Sequence, residues 1–297
     1  MISYNHFIRF IPELKKSKNI SSSFNNVITI KENNSLNFSK NLKYQITFTN
    51  NQVRDIALYT ERPFERTLPK QQWVFDVEGV VTFFWSSGEL TIDYLPNENF
   101  TSELLEYWTL HIALPIFLTI EEHCYFLHAG AVEIDNAPIL FVAESFGGKS
   151  TMTDFFIKKG HAMVSDDKVA ILEEDGRLLA VPSHPHHRPY RKMEDLGCFV
   201  KNMSDTPKPI HAIYKLHRVA SDAQISISEL RGIEKFKSLR FSSEINLSFL
   251  KSQRFEDLGH LAKNVPIFKV KVPWDIERLT DVYTAIIRHC RSLPKPK

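Results

Sequence analysis

The stretch that most constrains this 297-residue chain is residues 137–160. Ala137–Val142 (APILFV) is an unbroken apolar run of strand length. AESFGGKS follows at 143–150, and then Met152, Phe155 and Phe156 keep helical spacing. Lys158 and Lys159 fall in the last turn, where cations suit the helix dipole, and Gly160 supplies a left-handed stop. Strand, glycine-containing loop ending in Gly-Lys-Ser, then helix is the context a phosphate-binding loop requires. Backbone N–H groups and the helix N-terminus offer partial positive charge to phosphate oxygens. On this reading Glu144, Ser145, Phe146, Gly147, Gly148, Lys149, Ser150 and Thr151 wrap the phosphates of a nucleotide. Lys149 reaches the β/γ-phosphates, and the Ser150 hydroxyl ligates Mg²⁺. Two positions depart from the common pattern: Ala143 replaces the first Gly, and Phe146 stands where many such loops carry another Gly. The plain alternative is a chance GGKS turn at a helix start.

The neighbourhood favours the first reading. Residues 161–164 (HAMV) form a second short strand ending in Ser165-Asp166-Asp167. Carboxylates at the C-terminal edge of a strand beside the loop strand are placed to hold Mg²⁺ or to accept a substrate proton. A solvated turn is the bland alternative. Upstream, 126–134 (FLHAGAVEI) reads as one arm of a hairpin closed by Asp135-Asn136, which brings His128 towards the loop. Three individually weak signals agree with one another.

HAGAVEID…ILFVAESFGGKST…KKGHAMVSDDKVAI resembles the catalytic core of the HPr kinase/phosphorylase superfamily, most closely its HPr-kinase-related members. The resemblance is specific over 124–183 and looser beyond. In the N-terminal part it extends only to general layout. It implies an α/β P-loop kinase domain of the HPr kinase/phosphoenolpyruvate carboxykinase type, a mixed sheet with helices, preceded by a small β-rich domain. It also implies that Asp167 is the base towards the substrate hydroxyl, with His128 near the transferring phosphate and Lys149 stabilising its charge. Ser150 and Asp166 become magnesium ligands, with Glu194, ahead of Asp195-Leu196-Gly197, as a further Mg²⁺-associated residue. The bifunctional relatives carry a Pro-Gly-Arg-type loop near the C-terminus, associated with phosphorolysis. Here that stretch reads VKVPWDIER at 270–278, which favours a kinase without phosphorylase activity.

The rest of the chain fits around this core. Residues 1–100 are rich in Asn, Ser, Thr and Phe, with strand-like runs at 27–30, 44–48, 73–75, 80–85 and 90–94. Turn signals separate them, Asn50-Asn51 among others. Leu104, Leu105, Trp108 and Ile112 outline a connecting helix over 101–122, with Ser102 as its N-cap and Leu110 off its main face. The kinase domain then occupies 123–297. Within it, 173–176 is a hairpin turn, 229–241 a surface helix, and Asp275 the cap of a last helix. That helix buries Leu279, Val282, Tyr283, Ile286, Ile287 and Cys290. The His-rich segment 183–191 is read as a lid or substrate-contacting loop rather than a zinc site, with Arg188 or Arg191 towards an anion; a solvated basic loop is the alternative.

Composition narrows the function. A chain that is 43% hydrophobic and 24% charged is a folded one, and its net charge of +2 gives no support to a broad basic surface for nucleic acid, a local basic groove staying open. Cys124, Cys198 and Cys290 read as buried reduced thiols of a cytoplasmic protein. The start lacks the apolar core of a signal peptide, and the apolar run 108–120 falls short of the ~20 residues that span a bilayer. The expectation is therefore an ATP- (or GTP-) and Mg²⁺-dependent kinase acting on a serine of a protein or peptide, without nucleic acid or membrane. The alternatives are a nucleotide-binding regulatory or adaptor protein with lost turnover, and a kinase of free serine. Cyclic oligomers occur in the bifunctional relatives, so a homo-oligomer is an open expectation.

Overall fold

A computed structural model describes residues 1–14, 26–36, 42–48, 54–64, 69–189, 192–243 and 245–296. The fold is mixed α/β with several sheets. Two compact units emerge: Met1–His123 with Lys192–Leu196 and Ser248–Leu250, and Cys124–Arg191 with Gly197–Leu247 and Lys251–Lys297.

The first unit holds an eight-stranded sheet. In spatial order its strands are Ile2–Ser3, His6–Ile11, Val27–Glu32, Thr91–Pro96, Val81–Ser86, Gln72–Val77, Ile56–Thr60 and Tyr44–Phe48. The sequence reading misses the strands Ile2–Ser3, His6–Ile11 and Ile56–Thr60. His6–Ile11 was nonetheless legible, because HFIRFI alternates and buries His6, Ile8 and Phe10. The turn signal Asn50-Asn51 lies outside the described residues. Ile28, Ile30, Trp73, Phe75 and Phe83 are fully buried core, whereas Tyr44 is exposed.

The helical segment of this unit starts one residue earlier than expected. Thr101, not Ser102, is the N-cap, its hydroxyl accepting from the Leu104 N–H at 3.1 Å. An α-helix over Ser102–Trp108 widens to a π-turn at Thr109–Ala113 and resumes at Leu114–Ile120. Pro115 accounts for the widening, since it has no N–H for the preceding turn and its ring crowds the carbonyl four residues back. The continuous segment Ser102–Ile120 is thus long and apolar enough to cross a membrane by length and composition, unlike the shorter run read from the sequence; 72% of it is buried inside the protein. Leu105, Trp108, Leu110, Leu114 and Phe117 are all fully buried, so its apolarity serves packing on several sides.

The second unit is layered. Its six-stranded sheet runs Met163–Ser165, Gly130–Ile134, Ala137–Val142, Ala212–Val219, Ile267–Pro273, Ser226–Glu229. The three strands Ala137–Val142, Ala212–Val219 and Ile267–Pro273 are parallel, and the outer pairings are antiparallel. Period-two alternation divides the sheet's side chains. Ile139, Phe141, Tyr214 and Val270 pack with the helices Lys149–Lys158 and Leu279–Ser292. Leu140, Val142, Ile213 and Ile267 pack the other way, with Leu239, Leu258 and Leu261 of the helices Ile233–Arg240 and Lys251–Asn264. A four-stranded antiparallel sheet of Tyr125–His128, Lys168–Glu174, Arg177–Val181 and Lys208–Pro209 joins that second core.

Several expectations change here. Residues 126–134 are not one hairpin arm: Tyr125–His128 belongs to the four-stranded sheet and Gly130–Ile134 to the six-stranded one, with the chain crossing at Ala129. Unbroken apolarity hides such a change of sheet, since both halves are buried. The turn Asp135-Asn136 forms as read, whereas the turn expected at 173–176 narrows to Asp175-Gly176 because Glu173 and Glu174 pair in the strand; each turn has two positive φ values. The surface helix is shorter than 229–241, because Glu229 ends a strand and Gly232 precedes the helix Ile233–Arg240. Asp275 does not cap the last helix. Its carboxylate accepts from the Glu277 N–H at 2.9 Å, and Arg278 occupies the cap position. The buried face of that helix is Val282, Ile286 and Cys290, with Leu279, Tyr283 and Ile287 half-buried against the same core. Cys290 is buried, but Cys198 is exposed and Cys124 intermediate; all three are free.

Phe156 ties the loop helix to this core, fully buried with ring centroids 5.1 Å from Phe141 and 4.8 Å from Tyr283. Phe156→Ala is expected to destabilise the chain by about 3–5 kcal/mol. Urea unfolding followed by circular dichroism measures this, and a loss under about 1 kcal/mol would contradict the packing described.

Candidate functional site

The site is built where the loop strand ends. Ala137–Val142 has a parallel neighbour on one side, and its C-terminal end opens into the loop, the usual position for a ligand crevice in such sheets. The loop turns at once: the Gly147 N–H donates to the Glu144 carbonyl at 2.9 Å. A Cβ on Gly147 would stand 2.7 Å from the Ala143 Cβ and 2.8 Å from the Glu144 oxygen, so only glycine fits beneath this Ala-for-Gly departure. Gly148, at φ 87°, is the N-cap of the helix Lys149–Lys158. The first intrahelical bond runs from the Met152 N–H to the Gly148 carbonyl, so the amides of Gly148, Lys149, Ser150 and Thr151 precede the ladder. Phe146 takes a left-handed φ of 61°, the conformation that favours the glycine found there in many such loops, and its side chain is 90% exposed. Glu144 and Ser145 are exposed as well.

Lys149 is buried, 5% exposed, although it carries an ammonium group. Its Nζ lies 2.9 Å from Asp167 Oδ1 and 3.0 Å from His128 Nε2. His128 Nδ1 is 3.3 Å from the same Asp167 oxygen. The expected His, Lys and Asp therefore meet in one cluster. Their backbones explain why. Lys168 stands in register with His128, and the Ala129 N–H donates to the Asp167 carbonyl. The His128 N–H is held by the Ser242 carbonyl. Gly130 lets the helix come close, because a Cβ there would collide with the Thr153 hydroxyl, which itself donates to the Lys149 carbonyl.

Asp166 turns the other way. It is buried, accepting from the Arg188 backbone N–H at 2.7 Å and lying 2.9 Å from His187 Nδ1. His187 Nε2 reaches Asp154 at 3.2 Å. This Asp166–His187–Asp154 chain was missed in the sequence; the His-rich segment was its only visible sign. The same geometry replaces the solvated-loop reading of that segment, since Ser183, His184, His187 and Arg188 are buried. Tyr190 and Arg191 lie outside the described residues. Glu194, counted with the first unit, gives its carboxylate to the Arg54 guanidinium and to Trp108 Nε1 at 3.1 Å.

Among the described residues no three His, Cys, Asp or Glu side chains form a ready metal cage. Magnesium bound with a nucleotide needs none: one or two protein donors suffice, with phosphate oxygens and water completing the octahedron. The Ser150 hydroxyl in the first turn and Asp166, which keeps lone pairs beyond those used by His187 and Arg188, fit that requirement.

No family model matches the chain. In sequence it is 31% identical over 104 residues to the HPr kinase/phosphorylase of Clostridium botulinum (strain Eklund 17B / Type B), covering 35% of this chain. The chain spans about a third (33%) of the length of that curated relative. Among solved structures, the HPr(Ser) kinase/phosphatase from Coxiella burnetii aligns with 56% of this chain and 95% of its own, at 17% identity and a TM-score of 0.34. The resemblance carried by the motif residues is thus found in a curated homologue: the chain is similar to HPr kinase/phosphorylase.

Two histidines make stability depend on pH with opposite signs. Burial, reinforced by His186, Arg188 and Lys168, pushes His184 down to about 3. Burial also opposes charge on His187, but hydrogen bonds to Asp166 and Asp154 outweigh it and hold its pKa above the usual value. Stability owed to neutral His184 is complete above the unfolded pKa and is lost as pH falls from about 6.5 towards 3. Stability owed to charged His187 is complete below about 6.5 and is lost as pH rises through its raised pKa. Urea midpoints from about pH 4 to about pH 9 should show His184→Gln flattening the acid limb and His187→Gln the alkaline limb. Unchanged limbs would contradict both assignments.

Proposed function

We propose that the chain is a kinase that transfers the γ-phosphoryl group of ATP, or GTP, to a serine hydroxyl of a protein or peptide, without phosphorylase activity. The observation that carries this reading is the buried Lys149 ammonium at the end of a GGKS loop, shared between Asp167 and His128. Similarity to an HPr kinase/phosphorylase supports it. The reduced cysteines suit a cytoplasmic setting.

The residues divide the work. The loop amides and the helix N-terminus take the phosphates. Lys149 swings from Asp167 to the β/γ oxygens, which frees a carboxylate lone pair of Asp167 for the acceptor hydroxyl. Asp167 removes the serine proton as the serine oxygen bonds to the γ-phosphorus and the bond to the β-phosphate oxygen breaks, leaving the nucleoside diphosphate. His128, within reach of both Lys149 and Asp167, faces the transferring group. Mg²⁺ held by Ser150 and Asp166 would neutralise phosphate charge. Catalysis is then positioning plus charge neutralisation, with general-base help of ~10²–10⁴-fold.

Asp167→Asn should lower phosphoryl transfer, or background nucleotide hydrolysis, by on the order of 10² or more while nucleotide affinity stays within a few-fold. Lys149→Ala should weaken triphosphate more than diphosphate. Calorimetry and a labelled-ATP assay measure both. A wild type that binds ATP but is indifferent to Asp167 would favour the regulatory or adaptor reading, and transfer to free serine alone would make the acceptor a small molecule.

The absence of phosphorolysis rests on the segment 270–278. Holding phosphate against a phosphoserine requires extra cationic or backbone donors. Arg278 spends its guanidinium on the Ser221 and Ala223 carbonyls at 2.7 and 2.8 Å, and Asp275 adds negative charge. Phosphoserine product is therefore expected to persist in phosphate without nucleotide. Pyrophosphate forming at a rate comparable to the forward reaction would sink this part of the reading.

A further inference from the structure

Phe146 is anomalous on energetic grounds. A non-glycine residue at φ 61° stores backbone strain. Packing normally compensates such strain, yet this ring is 90% exposed and gains almost nothing from the fold. Next to it stands a second aromatic group in an unusual setting. Trp274 is 52% exposed, and the Arg218 guanidinium lies over its ring at 3.1 Å from the centroid. The same guanidinium donates to the Phe146 carbonyl at 3.3 Å. Trp274 also borders the phosphate loop, since a Cβ on Gly148 would lie 3.7 Å from its ring. One cation therefore joins the Phe146 backbone to the Trp274 ring beside the amides that open the loop helix.

We propose that Phe146 and Trp274, tied together by Arg218, form a stacking platform for the nucleobase of the bound nucleotide. The inference rests on the nucleotide reading above and adds the place of the base. A nucleotide whose phosphates lie on Gly148–Thr151 projects its base outward from the loop, where exposed aromatic faces are the groups available to meet it. Bases stack on such faces with useful affinity because each has a π-face, and an Arg over the ring adds a cation to the stack. The strain at Phe146 is then relieved of its paradox: the ring is held out of the protein to meet a partner that the protein alone lacks. The substitution that looks like damage to a phosphate loop becomes part of the binding site.

The test separates base from phosphates. The full chain is titrated calorimetrically, with Mg²⁺ present, with ATP and with inorganic tripolyphosphate. Wild type should prefer ATP. Phe146→Gly and Trp274→Ala should each reduce that preference by about tenfold, while Phe146→Trp should keep it. Phe146→Gly should not lower the melting temperature, because glycine accepts the left-handed φ. Lys149→Ala should weaken both ligands together. If both ligands bind but the preference is the same in every variant, the platform is wrong and the nucleotide reading stands. A wild type with no preference for ATP overturns the platform in the same way, as does a Phe146→Gly variant that loses stability and both ligands together. A wild type that binds neither ligand removes the platform and the nucleotide reading alike.

Discussion

The arrangement of the second unit depends on one costly act, the burial of the Lys149 ammonium. A charged amine that keeps only 5% of its surface in water must be met by acceptors, or it would lose its proton or unfold its surroundings. Asp167 and His128 supply them, and each sits at the end of a strand in the smaller sheet. The larger sheet must therefore deliver the loop helix to the same point. Gly130, by having no side chain, lets it do so. The layered packing of two sheets and their helices follows from bringing these termini together.

The second carboxylate of the Asp166-Asp167 pair obeys the same economy in another way. It is buried too, and it finds a histidine and a backbone N–H instead of the lysine. Asp166 and Asp167 form the bend between the strands Met163–Ser165 and Lys168–Glu174, which belong to different sheets. A paired aspartate at a strand end therefore serves two different surroundings. The Asp166–His187–Asp154 chain reaches the loop helix at Asp154, so both carboxylates bear on the element that carries Lys149 and Ser150.

How much of this was legible in the sequence varied with the physics of each signal. The strand–loop–helix unit was plain, because it is local and its residues are contiguous. His128 and Asp167 were placed near it from short-range pattern, and they do meet Lys149. Three first-unit strands went unread where alternation was short or lay at the chain start. The change of sheet at Ala129 was invisible, because a strand buried on both faces shows the same apolar run on either side of the break. The role of His187 is a long-range contact from a two-residue strand to a bend and a helix, for which no spacing rule exists. The contacts of Glu194 were illegible for the same reason: its partners Arg54 and Trp108 are far away in sequence, and a Leu-Gly pair downstream says nothing of them.

The crossing at Ala129 has a mechanical consequence. His128 and Asp167 are neighbours within one hydrogen-bonded ladder, fastened by the register of Lys168 with His128 and by the Ala129 amide. Lys149 rides on a helix hung from the other sheet. Sliding of one sheet across the other leaves the histidine–aspartate separation fixed, while the lysine's distance to both varies. The chain passes between the two sheets at Ala129 and again at Asp166-Asp167 and Ile210-His211. A fold that splits its charged cluster along such a seam holds the histidine–aspartate pair by strand register and the lysine by helix packing, two separate constraints that meet at one carboxylate oxygen.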